Sequence, residues 1–344
     1  MFKERELSSQ SSIYLFIVLN VTRNIYMPAQ SFQHLQRYLE TQVIGQDNLV
    51  KQLLIALLAD GHILVEGAPG VAKTRAIKCL ADCIEGSFHR VQFTPDLLPS
   101  DLTGTDIYRP ETGEFQFKSG PIFHSLVLAD EVNRAPAKVQ AAMLEAMAEK
   151  QISVGQTTYQ LPELFLVMAT QNPIEQEGTY PLPEAQLDRF LLHIEVNYPD
   201  AESELNILRL NRGEALGEVH SFNDTLAEKD IFEARRQVLS IHMSETIEKY
   251  IIRLIMATRQ PSAYSEKLSQ WIEMGVSPRA SIALDRAARA SAWLAGRDFV
   301  SPEDVSAVIF PVLRHRLLLS YQAQAEGIDA NRVIEELLHT VASA

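Results

Sequence analysis

Residues 67–74 read Gly-Ala-Pro-Gly-Val-Ala-Lys-Thr and directly follow the apolar run His62-Ile-Leu-Val-Glu66. The pattern predicts a buried strand, a glycine-rich turn and a helix that begins near Lys73 and Thr74. Backbone N–H groups in such a turn, together with the partial positive charge of a helix N-terminus, favour a bound phosphate chain. Lys73 would then reach the β- and γ-phosphates, and the Thr74 hydroxyl would bind Mg²⁺.

This motif departs from the usual pattern at one position. G-x-x-x-x-G-K-[ST] has glycine where this chain has Ala72. For the loop taken alone, a glycine-rich turn before an ordinary helix remains the alternative. The rest of the chain therefore has to supply the other half of a nucleotide site.

Short apolar runs alternate with helical segments through the first 200 residues. Helices are predicted over 31–41 and Asn48–Ala59, before the first strand. Continuous apolar runs without polar alternation are typical of buried parallel strands. They occur at 62–66, 89–93, 125–129, 164–169 and 190–196. The alternation predicts a three-layer α/β domain with a parallel sheet.

Two β-hairpins interrupt this alternation. The strands are 106–109 and 114–118 around Pro110-Glu-Thr-Gly113, and 151–154 and 157–160 around Gly155-Gln156. Both turns contain the residue types that hairpins need. Because each hairpin lies between helix and strand signals, we expect insertions on the α/β core. They are either plain surface arms or functional loops.

The chain is long enough for two domains and changes character after Pro199. Beyond that residue, strand signals become rare and amphipathic helices predominate. We predict the following organisation: a poorly ordered leader over 1–28, an α/β nucleotide-binding domain over 29–200, a helix and polar linker over 201–230, and a small all-helical domain over 231–344.

The leader contains an apolar run at 13–21, which is shorter than the ~20 residues that cross a bilayer. Lys3 and Arg5 are offset by neighbouring glutamates, so no positively charged region precedes the run. A weak signal anchor is the alternative, and Met27 is an alternative start. We predict a cytoplasmic protein, with peripheral membrane association left open.

Composition narrows the class of protein. The chain of 344 residues is 46% hydrophobic and 22% charged, which is ordinary for a soluble globular protein. Its net charge of −13 argues against non-specific nucleic-acid binding, which needs a basic surface. Cys79 and Cys83 have no nearby residues that complete a metal site, so we expect small packing residues in a reducing compartment.

Two further apolar strands end in polar residues. Ser125-Leu-Val-Leu-Ala leads into Asp130-Glu131, and Phe165-Leu-Val-Met-Ala-Thr-Gln leads into Asn172. The carboxyl ends of parallel strands are where α/β sheets bind ligands. We expect Asp130 to hold Mg²⁺ with Thr74 and Glu131 to polarise a water molecule. Asn172 would orient that water.

Two arginines also suggest phosphate chemistry. Arg189 follows a short helix, and phosphoryl transfer gains from a positive charge supplied by a neighbour. Arg279 lies in the first turn of a helix that begins at Ser277-Pro278, where the helix dipole disfavours a cation. An anion near Arg279 would relieve this conflict, and such breaks of a local rule are expected at functional sites.

Together these segments resemble the MoxR family of AAA+ ATPases, over about residues 29–340. The matching segments are Val43-Ile-Gly-Gln-Asp47, Gly67–Thr74, Gln92-Phe-Thr-Pro-Asp-Leu-Leu-Pro-Ser-Asp101, Asp130-Glu-Val-Asn-Arg-Ala-Pro136, Ala169-Thr-Gln-Asn-Pro173, Glu175-Gln-Glu-Gly-Thr-Tyr-Pro-Leu-Pro-Glu-Ala-Gln-Leu-Asp-Arg-Phe190 and Ser277-Pro-Arg279. Alanine at position 72 resembles the residue that this family usually has at that position. Residues 1–28 match nothing typical of it.

The resemblance implies a P-loop AAA+ core with hairpin insertions and a helical lid. It implies Walker A roles for Lys73 and Thr74, Walker B roles for Asp130 and Glu131, and sensor roles for Asn172 and Arg279. Arg189 looks like the finger inserted into the next subunit's site. The implied contacts to ATP come from Gly45, Gln46, Gly67, Ala68, Pro69, Gly70, Val71, Ala72, Lys73 and Thr74.

The resemblance also implies a hexameric ring that hydrolyses ATP with Mg²⁺ and remodels or matures a partner, often a protein with a von Willebrand factor A domain. The sequence does not identify the client protein that would be remodelled. The alternatives are a magnesium- or cobalt-chelatase-type ATPase subunit and an ATP-dependent binding switch with little turnover. The stretches 92–101 and 176–189 favour the MoxR family, and intact Glu131 and Arg189 argue against the switch.

Overall fold

The computed structural model describes residues 28–173, 178–218 and 221–342. The leader at 1–27 and part of the long motif, at 174–177, lie outside the described residues. Residue 28 already belongs to helix α1, which runs over 28–42. Within the described ranges, no helix is long and apolar enough to cross a membrane.

The first part of the chain alternates strands and helices. After α1 the elements are α2 (Asp47–Leu58), β1 (Ile63–Gly67), α3 (Lys73–Asp82), β2 (Phe88–Gln92), α4 (Pro99–Thr103), β3 (Gly104–Arg109), β4 (Glu114–Ser119), β5 (Leu126–Asp130), α5 (Ala137–Glu149), β6 (Gln151–Val154), β7 (Thr157–Gln160), β8 (Leu166–Gln171), α6 (Glu184–Leu187) and β9 (Leu192–Val196).

The second part is mainly helical. Its elements are α7 (Ala201–Ala215), α8 (Glu228–Ser240), α9 (Glu245–Arg259), α10 (Glu266–Trp271), β10 (Ile272–Met274), α11 (Pro278–Leu294), α12 (Pro302–Leu313), β11 (Leu318–Leu319), α13 (Tyr321–Ala325) and α14 (Ala330–Thr340). The pair β10–β11 was not predicted, because strands this short leave no periodic signal.

Five parallel strands form the central sheet in the order β2-β5-β8-β1-β9. Successive side chains face opposite sides, as Leu64 and Val65 of β1 show by joining different hydrophobic clusters. The predicted α/β fold class with a parallel sheet is therefore confirmed. All five predicted strands are present, with bounds shifted by one or two residues.

Both predicted hairpins are confirmed, as the antiparallel pairs β3–β4 and β6–β7. They contact one another through a stack of Phe117 on Tyr159, with ring centroids 3.9 Å apart and planes 15° apart. Beyond this contact the first hairpin projects into solvent, where the Phe115 ring is 72% exposed.

One hydrophobic cluster joins the sheet to the helical region. It contains residues of α1, α2, β1, α8, α9 and α11. Within it, Phe32 of α1 meets Trp293 of α11 edge to face at 5.4 Å. The other face of the sheet is covered by α5 through a second cluster that includes Met143 and Val167.

Candidate nucleotide-binding site

The glycine-rich loop connects β1 to α3 at the carboxyl edge of the sheet. Ala72 has φ 62° and Gly70 has φ 86°, both in the left-handed region. Alanine thus adopts a glycine-type conformation where the usual pattern has glycine, a strain of order 1–3 kcal/mol that is typical of functional sites. A Cβ on Gly67 would lie 2.6 Å from the Val196 carbonyl oxygen, so β9 requires glycine there.

The ammonium group of Lys73 lies over the ends of two strands. Nζ donates hydrogen bonds to the carbonyl oxygens of Gly67, on β1, and Gln171, on β8, the latter at 3.2 Å. Burial lowers the pKa of Lys73, while the carboxylates of Asp130, Glu131 and Glu66 act in the opposite direction. The lysine is therefore within electrostatic range of both predicted Walker B carboxylates.

Asp130 ends β5 and is 8% exposed. Its Oδ1 accepts a hydrogen bond from Thr170 Oγ1 at 2.6 Å. Its Oδ2 accepts from Arg90 Nη2 at 2.6 Å and Nε at 3.1 Å. A nearly buried carboxylate held from two sides in this way is fixed in position at the sheet edge.

Glu131 follows in a left-handed conformation, with φ 57°. Its backbone N–H donates to Thr170 Oγ1 at 2.9 Å. Its Oε2 accepts from Gln92 Nε2 at 2.8 Å and Arg134 Nη1 at 2.9 Å. Thr170 and Gln92 lie in matching segments but had no predicted role, and Arg90 was not singled out from the sequence, because an isolated polar residue on a strand does not reveal its partner.

Asn172 is buried and directly follows β8, the strand between β5 and β1. Strand order therefore brings together four predicted site residues at one edge of the sheet. They are Lys73, Asp130, Glu131 and Asn172. This convergence was expected from the sequence, since parallel strands present their carboxyl ends on the same side.

The two predicted phosphate-directed arginines lie around Asp188. Arg279 Nη1 is 3.7 Å from Asp188 Oδ2, and the same oxygen accepts a hydrogen bond from Ser277 Oγ at 2.8 Å. Arg189 Nη1 donates to the Leu144 carbonyl oxygen at 2.5 Å. The anion expected near Arg279 is thus present within the chain, as the carboxylate of Asp188.

Arg316, from the turn after α12, holds the segment that carries Arg189. Nε donates to Asp188 Oδ1 at 2.9 Å, and Nη2 to the Phe190 carbonyl oxygen at 2.5 Å. Burial lowers the pKa of Arg316 to about 10, against the opposing effect of Asp188. Arg316 was not singled out from the sequence, where Arg314-His315-Arg316 is typical of an ordinary basic helix end.

Gly45 and Gln46 contact the segment between β9 and α7. Gln46 is buried, and its Nε2 donates to the Asn197 carbonyl oxygen at 2.9 Å. A Cβ on Gly45 would lie 2.9 Å from Cβ of Pro199, and the residue has φ 76°. Both residues therefore have packing roles whether or not they contact a nucleotide.

The cysteines lie behind this site, on α3 and at its C-terminal end. Cys83 is buried, and burial raises the pKa of its thiol to about 12. Cys79 is half-buried, and burial also raises its pKa. No group of three or more metal-binding side chains occurs among His, Cys, Asp and Glu of the described ranges.

The chemistry of the site fits ATP with Mg²⁺. A lysine and the N-terminus of α3 face the anion site. The Thr74 hydroxyl and the Asp130 carboxylate are hard oxygen donors of the kind that Mg²⁺ prefers. Gly70 leaves room for a ligand, since a Cβ placed there would have no atom within 4 Å.

Comparisons with known proteins agree with this geometry, which defines an AAA ATPase. Residues 62–192 match the ATPase family associated with various cellular activities (AAA), and residues 268–337 match the AAA lid domain. Membership implies ATP binding and hydrolysis.

Individual relatives show which family of AAA ATPases the chain belongs to. The chain is 46% identical to Chaperone MoxR1 of Mycobacterium tuberculosis over 87% of this chain and 79% of that protein. It is 34% identical to Protein MoxR of Paracoccus denitrificans over 86% of this chain and 92% of that one. A crystal structure from Cytophaga hutchinsonii, 45% identical, covers 95% of this chain and 99% of that one with a TM-score of 0.88. The chain belongs to the MoxR family.

The chelatase alternative has weaker support. The magnesium-chelatase subunit ChlI of Glycine max is 28% identical over 63% of this chain and 48% of that protein. The predicted MoxR resemblance and the helical lid are therefore confirmed.

Proposed function

We propose that this protein hydrolyses Mg²⁺-bound ATP in a site completed by a second copy of the chain, and that turnover remodels a partner protein. The observation that carries the proposal is the convergence of Lys73, Asp130, Glu131 and Asn172 at the carboxyl edge of the sheet. The name of the relative MoxR1 supports a chaperone-like role.

Each residue has a role that follows from its chemistry. Lys73 and the loop N–H groups bind the phosphates, and Gly45 and Gln46 border the nucleotide. Thr74 and Asp130 would hold Mg²⁺, which supplies charge neutralisation at the β- and γ-phosphates when bound. Glu131 accepts a proton from the attacking water, and Asn172 orients that water.

Arg189 supplies positive charge from outside the subunit that holds the nucleotide, and Arg279 has the sensor 2 role that the family resemblance implies. Both lie next to Asp188, and neither has a hydrogen bond or ion pair to loop 67–74 among the described contacts. We propose that this surface contacts the neighbouring subunit of a ring. A hexamer and a von Willebrand factor A domain partner are the assembly we propose.

Three measurements test the proposal. Phosphate release should require Mg²⁺ and be lost in Glu131→Gln. Light scattering should show larger particles of Glu131→Gln with ATP than without nucleotide. Copurification with tagged Glu131→Gln in ATP should enrich a client that Lys73→Ala does not enrich. A monomer with full activity would contradict the shared site, and equal capture by both variants would contradict nucleotide-dependent remodelling.

A further inference from the structure

A second polar cavity lies at the opposite edge of the sheet from the nucleotide loop. Its volume is about 280 Å³, and we call it the basic cavity. It is lined by Leu58, Ala59, Asp60, Lys150, Glu163, Phe232, Arg235, Arg236, Val238, Leu239 and Arg286. Asp60 precedes β1 and Glu163 precedes β8, so the cavity adjoins the amino ends of these strands. None of its residues belongs to the proposed ATPase machinery.

Positive charge exceeds negative charge in the lining, although the whole chain carries a net charge of −13. Four lining residues are basic and two are acidic, and one of the basic residues, Arg236, pairs with Glu233 outside the lining at 2.5 Å. The Asp60 carboxylate pairs with two of the basic residues: Lys150 Nζ lies 2.8 Å and Arg235 Nη1 lies 2.7 Å from its oxygens. Arg286 forms no hydrogen bond or ion pair with any residue that the structure describes. Among the lining cations of the described residues, Arg286 is therefore the one without a carboxylate partner.

Arg235 is the most constrained of these cations. It is 9% exposed, and its Nε donates to the Leu57 carbonyl oxygen at 2.9 Å. Its Nη2 is buried and has no hydrogen-bond partner. A buried charged donor without an acceptor is unfavourable, which favours an acceptor supplied by a ligand in the cavity. Burial lowers the pKa of Arg235, the carboxylates of Asp60, Glu163 and Glu228 act in the opposite direction, and the charge of Arg286 lowers the pKa further.

The remaining wall of the cavity is apolar. Leu58 and Val238 are buried, the Phe232 ring lies 5.6 Å from the Arg235 guanidinium carbon, and Leu239 is 58% exposed. A ligand that fits both surfaces must combine a carboxylate with an apolar side chain. An isolated inorganic anion would leave the apolar wall uncovered, and a purely apolar ligand would bury the cations without a partner.

We propose that the basic cavity is a docking site for an acidic peptide segment of a partner protein, in which a carboxylate stands next to an apolar side chain. The carboxylate binds Arg286 and Arg235, and the apolar side chain covers Phe232 and Leu239. Lys150 directly precedes hairpin β6–β7, and the Lys150 carbonyl oxygen accepts from the Leu161 N–H where the hairpin ends. A docked peptide thus contacts the base of this hairpin.

The test uses the full chain and two fluorescein-labelled probes, one of alternating Leu and Glu and one of alternating Leu and Gln. Fluorescence anisotropy should show binding of the Leu-Glu peptide and about tenfold weaker binding of the Leu-Gln peptide, which is ~1.4 kcal/mol. Arg286→Gln should weaken Leu-Glu binding by a similar factor. Arg332→Gln, an exposed arginine paired with Glu335, is the matched control and should bind like the parent.

Several outcomes would overturn the proposal. Equal binding of the two peptides would indicate apolar adhesion, and equal binding by Arg286→Gln and Arg332→Gln would place the peptide elsewhere. Displacement of the peptide by inorganic phosphate, but not by chloride of equal ionic strength, would indicate a phosphate site. Because Arg286 lies outside the nucleotide site, ATP hydrolysis by Arg286→Gln should equal that of the parent, which separates this test from that of the ATPase.

Discussion

The Thr170 hydroxyl, on β8, donates a 2.6 Å hydrogen bond to Oδ1 of Asp130, at the end of the neighbouring strand β5. The Thr170 hydroxyl oxygen in turn accepts a hydrogen bond from the backbone N–H of Glu131 at 2.9 Å. One hydroxyl therefore contacts the carboxylate that we propose for Mg²⁺ binding and the backbone of the residue that we propose for water activation. A β-branched residue is well suited to this task because its χ1 angle is restricted.

Removing this hydroxyl should impair turnover more than binding. Thr170→Val keeps the shape but leaves the Glu131 N–H without its acceptor, a cost of roughly 1–3 kcal/mol for a buried group. We expect ATP hydrolysis to fall by about tenfold or more, while the Kd for a fluorescent ATP analogue changes little. Thr170→Ser retains the hydroxyl and should keep most of the activity. Equal rates in the valine and serine variants would contradict the positioning role.

The two halves of the nucleotide site should separate in mutants. Glu131→Gln retains the loop and Asp130, so it should bind ATP and lose hydrolysis by roughly 10²–10⁴, the usual contribution of a general base. Lys73→Ala should instead weaken ATP binding, because it removes the cation that faces the phosphates. Equilibrium binding and phosphate release, measured on both variants, check this split. Parent-like hydrolysis by Glu131→Gln would make the Walker B assignment wrong.

Local patterns were sufficient to predict much of the fold and the motif residues. Two strand ends were predicted correctly, at the apolar run before Gly67 and at the acids that follow Leu128 and Ala129. Both are local features, since a buried strand appears in the sequence as a short continuous apolar run. The hairpin turns at Gly113 and Gly155 are equally direct, since both glycines have positive φ.

Contacts between distant residues could not be predicted in the same way. Arg316 and Asp188 are far apart in sequence, and their 2.9 Å contact depends on how the lid packs on the sheet. The hydrogen bond that Thr170 donates to Asp130 likewise depends on strand order, which a single sequence leaves open. Gly45 illustrates a different difficulty: its motif suggested nucleotide binding, whereas its close approach to Pro199 gives it a packing role as well.

The buried His62 should make stability depend on pH. Its Nδ1 accepts from the Val167 N–H at 3.0 Å, its Nε2 faces the Met147 carbonyl oxygen at 3.2 Å, and burial lowers its pKa from 6.5 to about 4. The unfolded chain therefore binds the proton more tightly than the folded protein between these values. Stability from this group is complete above pH 6.5 and falls as the pH decreases toward 4.

Urea unfolding of the parent and of His62→Gln checks this dependence. Glutamine offers an amide donor and acceptor but does not titrate, so all other pH-dependent groups are common to both proteins. Between pH 7.5 and pH 5 the parent should lose about 2 kcal/mol more of its unfolding free energy than the variant. The same loss in both proteins would show that His62 is not responsible.

Arg189 should act on the nucleotide of another subunit. Its segment is fixed from the lid, because Arg316 contacts both Asp188 and the Phe190 carbonyl oxygen. We expect Arg189→Ala to bind ATP normally and to lose hydrolysis, by roughly 10³–10⁵ as for other arginine fingers. Fluorescent-nucleotide binding and phosphate release measure the two effects separately.

Mixing two inactive variants distinguishes a shared site from one within a single subunit. In a mixed ring of Arg189→Ala and Glu131→Gln, an intact Glu131 of one subunit faces an intact Arg189 of its neighbour at some boundaries. Phosphate release should therefore recover in part on mixing and should fall on dilution below the assembly concentration. Glu131→Gln mixed with Lys73→Ala is the matched control, because every site in that ring lacks either Glu131 or Lys73 and should stay inactive. Arg189→Ala alone at the same total concentration should stay inactive as well. If rings shown to be mixed by two affinity tags stay inactive as well, the finger role of Arg189 is wrong.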